Sequence, residues 1–336
     1  MSFNSRRRHR RPSLSDMPED VMKKILGKSD FRSILTLRKV SHDLRNFIDD
    51  VKPELNLDII QINIADSRLK IFLQSSSEKK SARVQYLKEE DHCKIVSTYR
   101  KTSKEWILEN EDYLNRFLKD LKIISSHQTS KILESFSLTA TEVPDEFQNI
   151  FGSPLKTQSF AITTSSQEEI LKVLPYMDSE VLQEVCFYNI HEMANEVWDF
   201  EKIVELEQWK RAQRLELVYF FVHLPIHHFF HFSYANIRLV EISAADIFQF
   251  KQHYLILQNF KYVHVEYKTL TGKPELSNLL GPFFMAEEPQ NQDQMKWFFK
   301  FPENPEYVLY VLIPDPISVY FSKIEADLVP KGALIQ

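Results

Sequence analysis

The chain has 336 residues, is 43% hydrophobic and 26% charged, and carries a formal net charge of −5, which gives it enough apolar content for more than one packed unit. Residues 1–11 hold five arginines and no acid, leaving the remainder at −10, so phosphate repulsion disfavours nucleic-acid binding by the body and the run RRRHRR at 6–11 reads either as a solvated tail or as a nuclear localisation signal. The two cysteines, Cys93 and Cys186, show no CxxC spacing, and no apolar run approaches a membrane span, so neither a disulfide framework nor a zinc ribbon is suggested and an intracellular protein of cytoplasm and/or nucleus is predicted.

After a basic tail at 1–13, residues 14–53 predict three short helices. Pro18 sits where a helix tolerates a missing N–H, Asp16 is placed to cap the same turn, and Val21, Met22, Ile25 and Leu26 follow at helical spacing. Asp30 is placed to cap a second helix with Phe31, Ile34 and Leu35 inward, and Val40, Leu44, Phe47 and Ile48 form the stripe of a third. So short a unit cannot bury all this apolar surface by itself and must dock on a partner or on the rest of the chain. The segment resembles an F-box, the module that binds the Skp adaptor of SCF-type (Skp, cullin, F-box) ubiquitin ligases. Met17, Pro18, Glu19, Asp20, Val21, Ile25 and Leu26 follow the opening of its pattern, and Val40 and Ser41 its close. The resemblance implies Skp contacts at Met17, Pro18, Val21, Ile25, Leu26 and Leu35, and through Skp an association with cullin and RING subunits. Met17 replaces the family's leucine at similar volume, whereas Leu44 stands where the family has tryptophan and removes aromatic contact area.

Residues 54–119 read as a β-containing connector and helix. LNLDIIQINI, LKIFL and VQYL alternate at period two around a polar SSSEKKS turn, and residues 105–124 read as helical through Trp106, Leu108, Tyr113, Leu114, Phe117, Leu118 and Leu121. Over 120–270 the short strands FSL, FAI, VCF, LELV, VEI and VHV recur. With Leu138, Ile162, Phe187, Leu217, Ile242 and Val265 equivalent, their spacings are 24, 25, 30, 25 and 23. Intervening EEILKVL, HEMANEVWDFEKIVELEQW and ADIFQFKQHYLIL read as helices. A strand followed by a helix at this period predicts an α/β, leucine-rich-repeat-like solenoid, although the strict LxxLxLxxN signature is absent. Apolar alternation in KWFFKF and YVLYVLI makes 271–336 a β-rich C-terminal cap.

Residues 201–217, EKIVELEQWKRAQRLEL, resemble the QWK-x-A-x-x-L signature of the FTH domain, the region that follows the F-box in the nematode F-box A family. The C-terminal tail from Trp297 is similar to the extension of such proteins. The resemblance implies a substrate-recognition adaptor in the ubiquitin-like conjugation pathway, working by protein–protein interaction and without catalytic residues.

The remaining chemistry agrees. Five scattered glycines cannot form a phosphate-binding loop. His223, His227, His228 and His231 offer an i, i+4 pair for zinc if helical, but Pro225 and the missing acid favour packed histidines. Cys186 near His191 lacks an orienting acid and reads as a strand residue. No cofactor or metal is therefore expected. If the six equivalent residues point inward, alternation sends Ser137, Ala161, Glu184, Cys186, Glu216, Glu241, His264 and Glu266 to the concave face. Glu184, Glu216, Glu241 and Glu266 would then lie on neighbouring strands about 4.8 Å apart. With His264 they would form an acidic stripe for a basic protein client; the plain alternative is a solvated face. A non-ubiquitin interaction scaffold whose N-terminal helices cap the solenoid is the reading of another class, and a freely exposed apolar face on helix one would tell against it.

Overall fold

The structure is a computed structural model that describes residues 14, 17–76, 80–99, 102–192, 195–285, 294–315 and 317–336. Asp16 and the arginine run at 6–11 lie outside these residues. Three helices open the chain: α1 (Glu19–Gly27), α2 (Phe31–Leu37) and α3 (His42–Val51). Asp30 caps α2 by accepting from the Ser33 N–H at 2.7 Å, and Ser41 caps α3 through the Leu44 N–H at 3.2 Å. The Arg38 guanidinium grips both oxygens of Asp49 and ties the end of α2 to α3.

An antiparallel meander follows: β1 (Ile59–Ala65), β2 (Arg68–Ser75), β3 (Lys80–Lys88), β4 (His92–Tyr99) and β5 (Thr102–Glu109), then α4 (Tyr113–Ser126). Residues 105–109, expected to be helical, are strand. Trp106 and Leu108 satisfy either period, and the boundary is set locally: Asn110 turns the chain at φ 56° and the Asp112 side chain caps α4 through the Asn115 N–H at 2.9 Å.

The repeat region places β6 (Leu133–Ala140), β7 (Thr157–Thr164), α5 (Gln167–Leu171), β8 (Glu184–Asn189), β9 (Val197–Trp198), α6 (Glu207–Arg211), β10 (Arg214–Val218), β11 (Phe221–Val222), β12 (Tyr234–Ser243), α7 (Ala244–Ile256) and β13 (Tyr262–Thr271) in sequence. After α8 (Leu276–Leu280), β14 (Met295–Lys300), β15 (Tyr307–Asp315) and β16 (Ser318–Glu325) form an antiparallel end, with β16 hydrogen-bonded to β13. The described strands make one large mixed sheet. At its centre β1, β6, β7, β8, β10, β12 and β13 are neighbours in that order and all parallel.

The helices gather on one side of this sheet. Ile62, Leu138, Ile162, Phe187 and Leu217 are level with one another and buried on that side. α4 covers the meander there: the Phe117 ring meets Tyr86 at 5.6 Å and the Tyr86 hydroxyl donates to Asp120 at 2.9 Å. The opening helices dock beside it through Lys80 on Asp30 at 2.6 Å and the Arg32 guanidinium 3.8 Å from the Tyr99 ring centroid. On the other side Ser137, Ala161, Glu216 and Asn236 are half-buried, and among the described residues no helix lies over them. A parallel sheet is ordinarily covered on both faces, so this polar, uncovered face is the departure that positions a site.

The segment HEMANEVWDFEKIVELEQW is not the long helix expected. Its described residues form β9, turns and the single-turn α6. The Asp199 side chain accepts from the Glu201 N–H at 2.9 Å and fixes a turn, while Trp198 stacks on Phe220 with centroids 4.0 Å apart. Trp198, Phe200, Ile203, Val204 and Trp209 are all buried, so spacing that mimics a helix serves an aromatic core. The QWK segment staples successive connections. The Gln208 amide donates to the Pro175 and Met177 carbonyls at 3.2 and 2.8 Å, Trp209 Nε1 donates to the His228 carbonyl at 3.2 Å, and His231 Nε2 donates back to the Trp209 carbonyl at 2.9 Å. Among the described residues no helix is long and apolar enough to cross a membrane.

Candidate adaptor and client interfaces

α1 carries two adjacent apolar stripes. Met22 and Leu26, four residues apart, turn inward; Leu26 is 1% exposed and packs in the core with Phe31, Ile34 and Ile48. Val21 and Ile25 form the neighbouring stripe, with Val21 at 41% exposure and Ile25 half-buried. Met17 at 42% and Pro18 extend the exposed stripe to the start of the helix, and Leu35 of α2 is half-buried. Of the six residues expected to meet Skp, Met17, Pro18 and Val21 are exposed in this chain, Ile25 and Leu35 are half-buried, and Leu26 is a core residue packed with Phe31 and Ile48. Leu44, in the tryptophan's place, is likewise buried. Two apolar groups of this region that the sequence assigns to helices lie outside them and are exposed. Val40, expected on the stripe of the third helix, precedes α3 and is 64% exposed. Trp106 of β5 is 45% exposed with the Lys39 ammonium 5.9 Å from its ring centroid. Nothing local signals Trp106, since strand pairing alone brings β5 to the helices.

The expected acidic stripe is not the arrangement found. Register sets Cys186, Glu216 and Asn236 side by side, and Asn236 opposite His264. The β12 residue level with Glu216 is thus Asn236, while Glu241 pairs with Thr269 near the far end of its strand. The assumed equivalence of Ile242 with Val265 fails, because Ile237 is Val265's neighbour. β12 is ten residues long and apolar at period two from its start, so a single sequence offers no way to choose its centre.

Of the remaining glutamates, Glu184 and Glu266 are ion-paired on the sheet and Glu216 is hydrogen-bonded. Arg214 lies 3.1 Å from Glu184, Arg238 holds Glu266 through two nitrogens, and the Tyr188 hydroxyl donates to Glu216 at 2.9 Å. His264 stacks on Tyr320 with centroids 4.3 Å apart. These groups flank a hollow of about 200 Å³ lined in part by Asn236, Arg238, His264 and Glu266. Burial, reinforced by Glu184 and Glu216, pushes the Cys186 thiol up to about 12, so at neutral pH it holds its proton and is a poor nucleophile. The histidine segment contains a 3-10 turn at Ile226–Phe229 rather than an α-helix, which removes the i, i+4 face a metal pair needs. Among the described residues no cluster of three or more His, Cys, Asp or Glu is arranged for a metal ion.

Residues 14–56 match the F-box domain family and residues 141–283 the FTH domain family. The second match begins where β6 ends and runs just beyond α8. The chain is 24% identical over 329 residues to F-box A protein 224 of Caenorhabditis elegans, an alignment spanning 92% of this chain and 81% of that protein. No solved structure matches. F-box domains typically bind Skp, and proteins that carry them generally act as substrate adaptors of SCF ligases. The chain thus carries an F-box followed by an FTH domain and is similar over most of its length to an F-box A protein.

Proposed function

We propose that this protein is a non-catalytic substrate-recruiting subunit of an SCF-type ubiquitin ligase. The F-box binds Skp, and through it the cullin and RING subunits, while the sheet beyond it holds a protein client. The observation that carries this reading is the exposed apolar stripe Met17, Val21 and Ile25 on a helix whose other stripe already fills the core. Helices that merely capped the sheet would have no use for a second apolar stripe in water, which favours an adaptor over a free-standing scaffold. Six parallel strands following one another in chain order, from β6 to β13, support a leucine-rich-repeat-like array with an uncovered face for the client and the antiparallel β14–β16 unit at its end. Glu184, Glu216, His264 and Glu266 belong to that face as paired polar groups, with Glu241 beyond their rows.

The test is Val21→Asp combined with Ile25→Asp. Each change forces an unpaired carboxylate into the apolar contact, at a cost of about 2 kcal/mol or more apiece, so co-purification of Skp should be lost while circular dichroism stays that of the wild type. Undiminished Skp recovery with the double variant would sink the adaptor reading.

A further inference from the structure

The uncovered face changes character along the sheet. Toward β13 its cations are paired, Arg214 with Glu184 and Arg238 with Glu266, and Glu216 accepts from the Tyr188 hydroxyl. Across β6, β1, β2 and β3 the paired positions facing the same way hold no carboxylate; their charged residues are Arg68, Lys70 and Arg83. None of the three forms an ion pair with a described residue, although carboxylates outnumber bases in the chain as a whole. A depression of about 510 Å³ lies here, lined by Gln61, Asn63, Lys70, Phe72, Arg83 and Ser137 among others. Its floor is neutral and rich in hydrogen-bonding groups. The Arg83 guanidinium rests 5.4 Å from the Phe72 ring centroid, which limits its freedom before any ligand arrives. Phe72 pairs with Arg83 and Lys70 with Gln85, so Lys70 and Arg83 are diagonal neighbours, about 7–8 Å apart. Side chains two residues apart on an extended peptide project to one side at about 6.8 Å.

We infer that this basic stretch of the uncovered face, over β1 to β3, docks an extended segment of the client bearing two anionic side chains, carboxylate or phosphate, at positions i and i+2, which meet Lys70 and Arg83. The inference rests on the client-recruitment reading and gives the client the opposite sign from the one an acidic stripe would select. A nucleic acid is the poorer occupant, since three cations on a body of net −10 neutralise too few phosphates against the surrounding repulsion.

The experiment pans a phage library of short random peptides on the full chain held by its Skp adaptor. Recovered sequences are synthesised with glutamate, phosphoserine, serine or lysine at their acidic positions, and affinities are read by fluorescence anisotropy. Recovered peptides should carry Asp or Glu two residues apart, bind more weakly as salt rises, and lose affinity about tenfold on Lys70→Gln plus Arg83→Gln. Lys70→Glu plus Arg83→Glu should remove binding, and the neutral pair carries the test if the reversed pair does not fold. A preference for phosphoserine over glutamate assigns the anion to a phosphorylated client, and equal binding assigns it to an acidic one. Neutral or basic peptides, no recovered peptide, affinities unchanged by both variants, or an RNA oligonucleotide bound where acidic peptides are not would each overturn the inference. Skp bound in the same preparation separates these failures from failure of the adaptor reading, which would show as absent Skp.

Discussion

Replacing Trp209 tests whether the QWK segment is a structural staple. The indole is 1% exposed, meets the rings of Phe200, Phe229 and Phe232 edge-on at 5.9, 6.0 and 5.2 Å, and donates to the His228 carbonyl. Trp209→Ala removes the side chain from a packed interior at a cost of about 3–5 kcal/mol. Orphaning the His228 carbonyl adds about 1 kcal/mol. A domain of this size loses about 2–4 °C of melting temperature per kcal/mol, so the alanine variant should melt roughly 10–20 °C below wild type. Trp209→Phe keeps an aromatic body and loses the hydrogen bond and part of the contact area, for about 1–2 kcal/mol and roughly 3–6 °C. The measurement is thermal denaturation of the purified full chain followed by circular dichroism, with Skp recovery at low temperature as a check that the F-box is unaffected. Alanine and phenylalanine variants melting within a few degrees of each other would refute the reasoning, because the packing term would then be missing.

Stability should also fall on mild acidification. His127, His228, His231 and His253 all have pKa values lowered first by burial, so the unfolded chain takes up protons near pH 6.5 that the native state resists. Their contribution is complete above about 6.5 and is lost as pH falls toward the lower native values; urea midpoints should drop between pH 7.5 and 5.5, and His127→Gln should flatten that slope. At the far end of the sheet, deleting residues 271–336 strips β16 from β13 and removes Phe321 from beside Phe250 and Tyr254, whose ring centroids lie 5.6 and 5.5 Å away. An unpaired strand edge and bared rings should drive aggregation, and a monodisperse truncated chain in light scattering would contradict this.

Much of the architecture is written in local signals. Asp30 and Ser41 start their helices where the sequence places them, Ser243 and Asp246 form a reciprocal cap on α7, and the period-two stretches mark β6, β7, β8, β10, β12 and β13. These devices act over a few residues, so one chain read alone reveals them. The long helix expected after His191 and the helical reading of 105–109 fail for a common reason. Trp198, Phe200, Trp106 and Leu108 have spacings compatible with more than one period, and contacts with distant Phe220 or β4 decide between them.

The site was legible to a smaller degree. The sequence by itself determined that the first helix carries more apolar surface than three short helices can bury, and which residue types alternate along each strand. Only tertiary structure decided that Leu26 turns into the core while Val21 stays in water, because both are apolar and one residue's rotation about α1 separates core from solvent. Strand register likewise set Asn236 rather than Glu241 beside Glu216 and brought Arg214 and Arg238 onto Glu184 and Glu266. It left Lys70 and Arg83 on β2 and β3 without an ion pair among the described residues. Charge pairing across a sheet depends on which residues stand opposite one another, and that register is a property of the assembled strands.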